Sequence, residues 1–122
     1  MMLSLDSIGG YQIVTAEDHP LRKEPQTIIP DTSCDNGSCS AITEALWVQA
    51  LTYGFGYRLD NMQPAYFKPF PDILRNEMFS PLISGLEANN FDFNVTYKAN
   101  ISATQENGSY SNTVTYIATP DF

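Results

Sequence analysis

From Phe91 to Thr104, apolar and polar residues alternate without interruption. Phe91, Phe93, Val95, Tyr97, Ala99, Ile101 and Ala103 share one parity, and Asp92, Asn94, Thr96, Lys98, Asn100, Ser102 and Thr104 share the other. Successive side chains of an extended chain point to opposite faces, so this text predicts a long β-strand with an apolar row against a core and a polar row in water. Further on, Tyr110, Val114, Tyr116 and Ala118 lie opposite Ser111, Thr113, Thr115 and Thr119, and Asn112 breaks the inner row. Between the two ribbons, Gln105-Glu106-Asn107-Gly108-Ser109 holds the Asn-Gly pair favoured at reversals, so the ribbons are expected to pair antiparallel. Burying the seven apolar side chains contributes on the order of 10 kcal/mol. Ordering the backbone costs about 1 to 2 kcal/mol per residue. A lone hairpin therefore needs a second layer, which makes an all-β, antiparallel sandwich the expected architecture.

The remaining text fits one domain over 1–122. Met1 to Asp6 and Tyr11 to Ala16 read as short strands around a turn at Ser7-Ile8-Gly9-Gly10, where Gly9-Gly10 permits the positive backbone angles of a tight hairpin. Over 17–40, Pro20, Pro25 and Pro30 exclude central strands and helix interiors, predicting a proline-rich surface excursion that ends in a cysteine loop. Ser40 to Ala50 predicts a short helix capped by Ser40, with Ala41, Ile42, Ala45 and Leu46 on one face. Tyr53, Phe55, Tyr57 and Leu59 alternate with Gly54, Gly56 and Arg58, a strand whose glycines mark a bulge or the close approach of another backbone. Residues 61–72 carry Pro64, Pro69 and Pro71 among Tyr66, Phe67 and Phe70, which predicts a packed loop. Met78 to Ile83 contains Pro81 and so belongs at a sheet edge.

Charge narrows the partners. Fourteen acidic against six basic residues give a net charge of −8, which repels nucleic-acid phosphates and anionic lipid headgroups. No apolar run reaches the length of a membrane-spanning helix, so neither nucleic-acid binding nor membrane insertion is expected. The start, Met1 to Asp6, lacks the basic and apolar segments of a signal peptide, so the chain is expected either to stay inside or to be a processed piece. Cys34 and Cys39 favour the second option. They flank Asp35-Asn36-Gly37-Ser38, a turn-forming tetrapeptide that can bring both sulfurs together. A disulfide is expected, with two reduced surface cysteines as the alternative. Zinc would need four ligands, and the chain offers these two thiols and one histidine.

The segment Val95 to Pro120 resembles the closing hairpin of immunoglobulin-like β-sandwich modules in bacterial cell-surface and envelope proteins, through its phrase Gly108-Ser-Tyr-Ser-Asn-Thr-Val-Thr-Tyr116. Tyr53-Gly-Phe-Gly-Tyr-Arg58, Tyr66-Phe-Lys-Pro-Phe70 and Asp31-Thr-Ser-Cys-Asp-Asn-Gly-Ser-Cys39 are similar to other phrases of such proteins. The resemblance covers about half the chain. It implies an extracellular or cell-surface structural or adhesive module, without catalysis and without a cofactor. It also implies strands ahead of Gly9-Gly10-Tyr11-Gln12 that this chain lacks. A sandwich short of a leading strand accepts one from a neighbour, so the sharper expectation is a pilus-like filament subunit joined to copies of itself or to neighbouring surface domains by β-strand addition. The alternative is a glycan- or host-surface-binding module of a larger secreted protein.

Asn36, Asn94, Asn100 and Asn107 each open an Asn-x-Ser/Thr sequon on an expected outward face or turn, and are the glycosylation candidates. Trp47 is the candidate for stacking on a sugar ring, whereas Tyr53, Tyr57, Tyr66, Phe67 and Phe70 are assigned to the core. Asp31, Ser33 and Asp35 have a calcium-loop spacing, but Asn36 stands where such a loop needs glycine and the bidentate Glu is missing, so no metal is expected. His19, the one histidine, has neighbours Asp18 and Pro20 and no Gly-x-Ser-x-Gly elbow to serve. Glu17 and Asp18 would face opposite ways in a strand and cannot cooperate as acid and base. Lys98, on the polar parity, is expected in solvent and outside any isopeptide chemistry.

Overall fold

A computed structural model describes residues 2–5, 10–60, 62–87 and 91–120, with side chains at 12–60, 62–82 and 94–118. In chain order its strands are β1 (Met2–Leu5), β2 (Gly10–Glu17), β3 (Leu21–Glu24), β4 (Thr27–Ile29), β5 (Ala45–Leu46), β6 (Gly54–Leu59), β7 (Tyr66–Phe67), β8 (Ser80–Glu87), β9 (Phe91–Asn100) and β10 (Val114–Pro120). One 3-10 turn, Ile73–Arg75, precedes β8, and no α-helix occurs among the described residues. The protein is all-β and antiparallel. One three-stranded sheet runs β1-β9-β6 and the other β10-β2-β8, with β3–β4 and β5–β7 as small ribbons beside them.

The two sheets share one core. Ile13 and Leu82 from the second sheet meet Phe55, Tyr57, Leu59 and Val95 from the first. Phe70 fills the space between, stacked on Tyr57 with ring centroids 4.1 Å apart. Tyr97 of β9 and Tyr116 of β10 reach across the gap, their hydroxyls 2.6 Å apart. A second cluster of Cys34, Cys39, Trp47 and Phe67 packs on the far side of the first sheet. β6 is consequently covered on both faces, and its glycines leave room for chain. A Cβ on Gly54 would sit 2.7 Å from Thr32 Cα, and one on Gly56 would sit 2.9 Å from the Lys68 carbonyl oxygen. Close backbone approach, rather than a bulge, is what those glycines serve.

The structure corrects two expectations of pairing and one of a helix. β9 and β10 do not form a hairpin: β9 lies between β1 and β6, and β10 pairs with β2. Their connection, residues 101–113, is too long for a two-residue turn and crosses from one sheet to the other, docked where Arg22 and Ser111 bridge. The inner rows therefore face each other across the core instead of lying side by side. β1 and β2 are likewise in different sheets; the expected turn at Ser7-Ile8-Gly9-Gly10 lies outside the described residues at 7–9. The helix expected over Ser40 to Ala50 is absent, because Ala45 and Leu46 pair with Phe67 and Tyr66 while Trp47 is drawn into the second cluster. β8, with Pro81, is an edge strand and residues 66–70 form a packed segment. The stretch over 17–40, expected as a surface excursion, carries the β3–β4 ribbon and puts Ile29 into the core and Thr32 in a buried place.

The alternation of β9 ends with the strand at Asn100, and its polar row is exposed at Asn94 and Thr96 but partly covered at Lys98 and Asn100. Val95 is buried, yet Tyr97 and Ile101 are 40% and 55% exposed, while Lys98 and Asn100 are half-buried. Lys98 Nζ donates to the Trp47 carbonyl at 2.7 Å and lies 4.5 Å from the indole centroid, and Asn100 Nδ2 donates to the Thr52 carbonyl at 3.1 Å. The second cluster turns this end of the outward face inward. The side chains of Phe91 and Phe93 lie outside the described residues.

Candidate functional site

Three carboxylates from distant parts of the chain converge at one end of the sandwich. Glu17 ends β2, Asp31 follows β4 and Asp72 precedes the 3-10 turn. Backbone pairing brings them together: Glu17 N–H donates to the Pro71 carbonyl at 2.8 Å in a parallel bridge with Asp72. Asp31 bridges Phe55, held by Phe55 N–H on the Pro30 carbonyl at 2.8 Å and Thr32 N–H on the Phe55 carbonyl at 2.9 Å. One oxygen from each carboxylate lies within 4.8 Å of the other two. Glu17 and Asp72 are fully buried and Asp31 is half-buried.

Two of the groups are each anchored through one oxygen. Asn112 Nδ2 donates to Glu17 Oε2 at 2.9 Å and to the His19 carbonyl at 3.2 Å, which explains the polar break just ahead of β10. Asp72 Oδ1 accepts from Leu74 N–H at 2.9 Å, and the Asp72 N–H donates to Glu77 Oε1 at 2.9 Å. Glu17 Oε1, Asp31 Oδ1 and Asp72 Oδ2 are buried without a hydrogen-bond partner. The nearest cation is the largely exposed Arg75, whose Nε is 3.9 Å from Asp72 Oδ2. Burial, then the closeness of the Asp31 carboxyl, then repulsion from Asp72 and Asp18 push the Glu17 carboxyl far above its ordinary value of 4.5. Burial also raises Asp31, reinforced by repulsion from Asp72. Such a set can share protons or hold a hard cation through oxygen; it lacks the nitrogen and sulfur donors that zinc selects.

The residues singled out from sequence are dispersed. Cys34 and Cys39 form a disulfide, Cα atoms 5.6 Å apart, buried against Trp47 and Phe67. Trp47 is wholly buried: its Nε1 donates to the Thr52 carbonyl at 2.9 Å, Phe67 meets it edge-on and Lys98 covers a face. That burial counts against a sugar-stacking platform, although Trp47 borders a shallow groove of about 630 Å³ with Arg58, Asp60, Met62 and Lys98. Asn36, Asn94 and Asn107 are exposed, whereas Asn100 is half-buried with its amide nitrogen engaged. Asp35 turns away from Asp31, its carboxylate accepting from the Val48 and Gln49 amides, and Ser33 is exposed. His19 is half-buried, its Nδ1 2.7 Å from the Pro20 carbonyl oxygen and its Nε2 3.4 Å from Asp18.

Glu17, Asp72 and Asn112 were invisible as a set. Glu17 continues the parity of Ile13 and Thr15, and a carboxylate on an inward row was the available signal. Comparison with protein-family models, characterised proteins and solved structures finds no match to this chain.

Proposed function

We propose that the chain is a noncatalytic structural or adhesive module of an extracellular or cell-surface protein, joined to copies of itself by β-strand addition along the outer edge of β10. The observation that supports this reading is the composition of that edge. β10, Val-Thr-Tyr-Ile-Ala-Thr-Pro, closes its sheet on one side and carries no charge and no proline before its last residue. Edge strands of monomeric proteins are ordinarily guarded by lysine, proline or bulges, and an unguarded one is a template for another strand. The opposite edge, β8, has Pro81, Glu87 and an irregular register with β2. A buried disulfide fits an oxidising compartment. No helix among the described residues is long and apolar enough to cross a membrane.

Thr115 and Ile117 are exposed on β10, so lysine at both leaves the core intact while charging the edge. Light scattering at rising protein concentration should show association for the wild-type chain and none for the Thr115→Lys/Ile117→Lys variant. A wild-type chain that stays monomeric at its highest soluble concentration, or a variant that associates equally, would overturn the reading.

A further inference from the structure

We propose that Glu17, Asp31 and Asp72 bind one calcium ion that ties the end of β2 to the segments after β4 and before the 3-10 turn. The inference rests on the orientation of the oxygens. Leaving a buried acceptor unsatisfied costs about 1 to 3 kcal/mol, and more when it is charged. Here each of three neighbouring carboxyls carries one such oxygen, Glu17 Oε1, Asp31 Oδ1 and Asp72 Oδ2. Two of them belong to side chains with no solvent exposure. Chance burial of one carboxylate is ordinary; three carboxyls, each with a buried oxygen lacking a hydrogen bond and together offering one oxygen apiece within 4.8 Å, share a single partner most simply.

The anchoring supports the same conclusion. Asn112 holds the other oxygen of Glu17 and the Leu74 amide holds the other oxygen of Asp72, as outer hydrogen bonds fix ligating carboxylates elsewhere. The donors are all hard oxygens, and they come from three separate segments. Calcium bonds of about 2.3 to 2.6 Å span up to roughly 5 Å across the ion and tolerate irregular geometry, whereas magnesium at about 2.1 Å demands a tight octahedron. Asp31, half-buried, marks the solvent side through which an ion enters and where water completes its shell. Arg75, two-thirds exposed at the rim, can swing away from Asp72. Glu77 hydrogen-bonds the Asp72 backbone and Asp18 adds negative potential from the next position along the chain.

The test is calorimetric titration with calcium chloride, and thermal unfolding of the chain in calcium chloride, magnesium chloride or chelator. One calcium per chain is expected, with a melting temperature on the order of 10 °C higher at a concentration 100-fold above Kd. Asp72→Asn, which keeps the Leu74 cap, and Glu17→Gln should each weaken calcium binding at least tenfold. If either fails to fold, Asp31→Asn on the solvent side carries the same measurement. No calcium-dependent shift at about 10 mM, above the weakest Kd of extracellular calcium modules, would overturn the site. So would an equal shift with magnesium, or calcium binding that persists unchanged in the variants.

Discussion

Gly56 sits where β6 passes between two other stretches of chain. An added Cβ would meet Thr32 Cγ2 at 2.7 Å and the Lys68 carbonyl oxygen at 2.9 Å, the latter fixed by its hydrogen bond from Tyr57 N–H. Gly56→Ala should therefore destabilise the protein by roughly 1 to 3 kcal/mol, the usual cost of overpacking against backbone, read as a lower midpoint in urea at unchanged slope. Sequence left a bulge or the close approach of another backbone as the alternatives at this glycine. Lys98 teaches the converse. Its parity assigned it to water, yet Trp47 and Phe67 close over that side of β9 and half-bury it, and burial lowers its ammonium pKa. Alternation reports which side chains share a face, not what later covers the face.

Among the elements, the segment from Cys34 to Trp47 holds one two-residue strand and adds covalent and side-chain anchors to its turn hydrogen bonds. The disulfide closes a short loop, and Asp35 accepts from the amides of Val48 and Gln49 to hold the returning strand. Replacing Cys34 and Cys39 by serine should cost about 2 kcal/mol from loop-closure entropy. It should also move the Trp47 emission to the red, because the disulfide belongs to the same buried cluster as the indole. An unchanged unfolding midpoint with unchanged fluorescence would show the bridge to be ornamental. β9 and β10 were both legible as strands because each has a period of two. Their partners were not: ladder bonds are made by backbone groups common to every residue, and only the connection over 101–113 and the facing tyrosines Tyr97 and Tyr116 settle that they lie in opposite sheets.

At the scale of the whole molecule, stability is tied to pH through the carboxylate cluster. Glu17 has a folded pKa raised above its unfolded value of 4.5, so between those values the folded chain keeps a proton that the unfolded chain has lost. Its contribution to stability is complete below about pH 4.5 and declines as pH rises, with a slope of up to ~1.4 kcal/mol per pH unit. Asp31 acts in the same direction, and Asp72 and Asp18 supply the surrounding negative charge. In chelator, the urea midpoint should accordingly fall between pH 5 and pH 8, and Glu17→Gln should flatten that dependence. A midpoint that rises over this interval for the wild type and variant alike would contradict the account.

Sequence alone determined that this chain builds antiparallel strands around an aromatic core. Periods of two, prolines at edges and the cysteine spacing are local quantities carried by neighbouring residues. Only the tertiary structure decided the sheet order, the covering of Lys98 and the meeting of Glu17, Asp31 and Asp72, because these depend on contacts between residues far apart in the chain. The carboxylates stand at the ends of segments whose local texts say nothing of each other, and the bridges from Glu17 to Asp72 and from Asp31 to Phe55 make them neighbours.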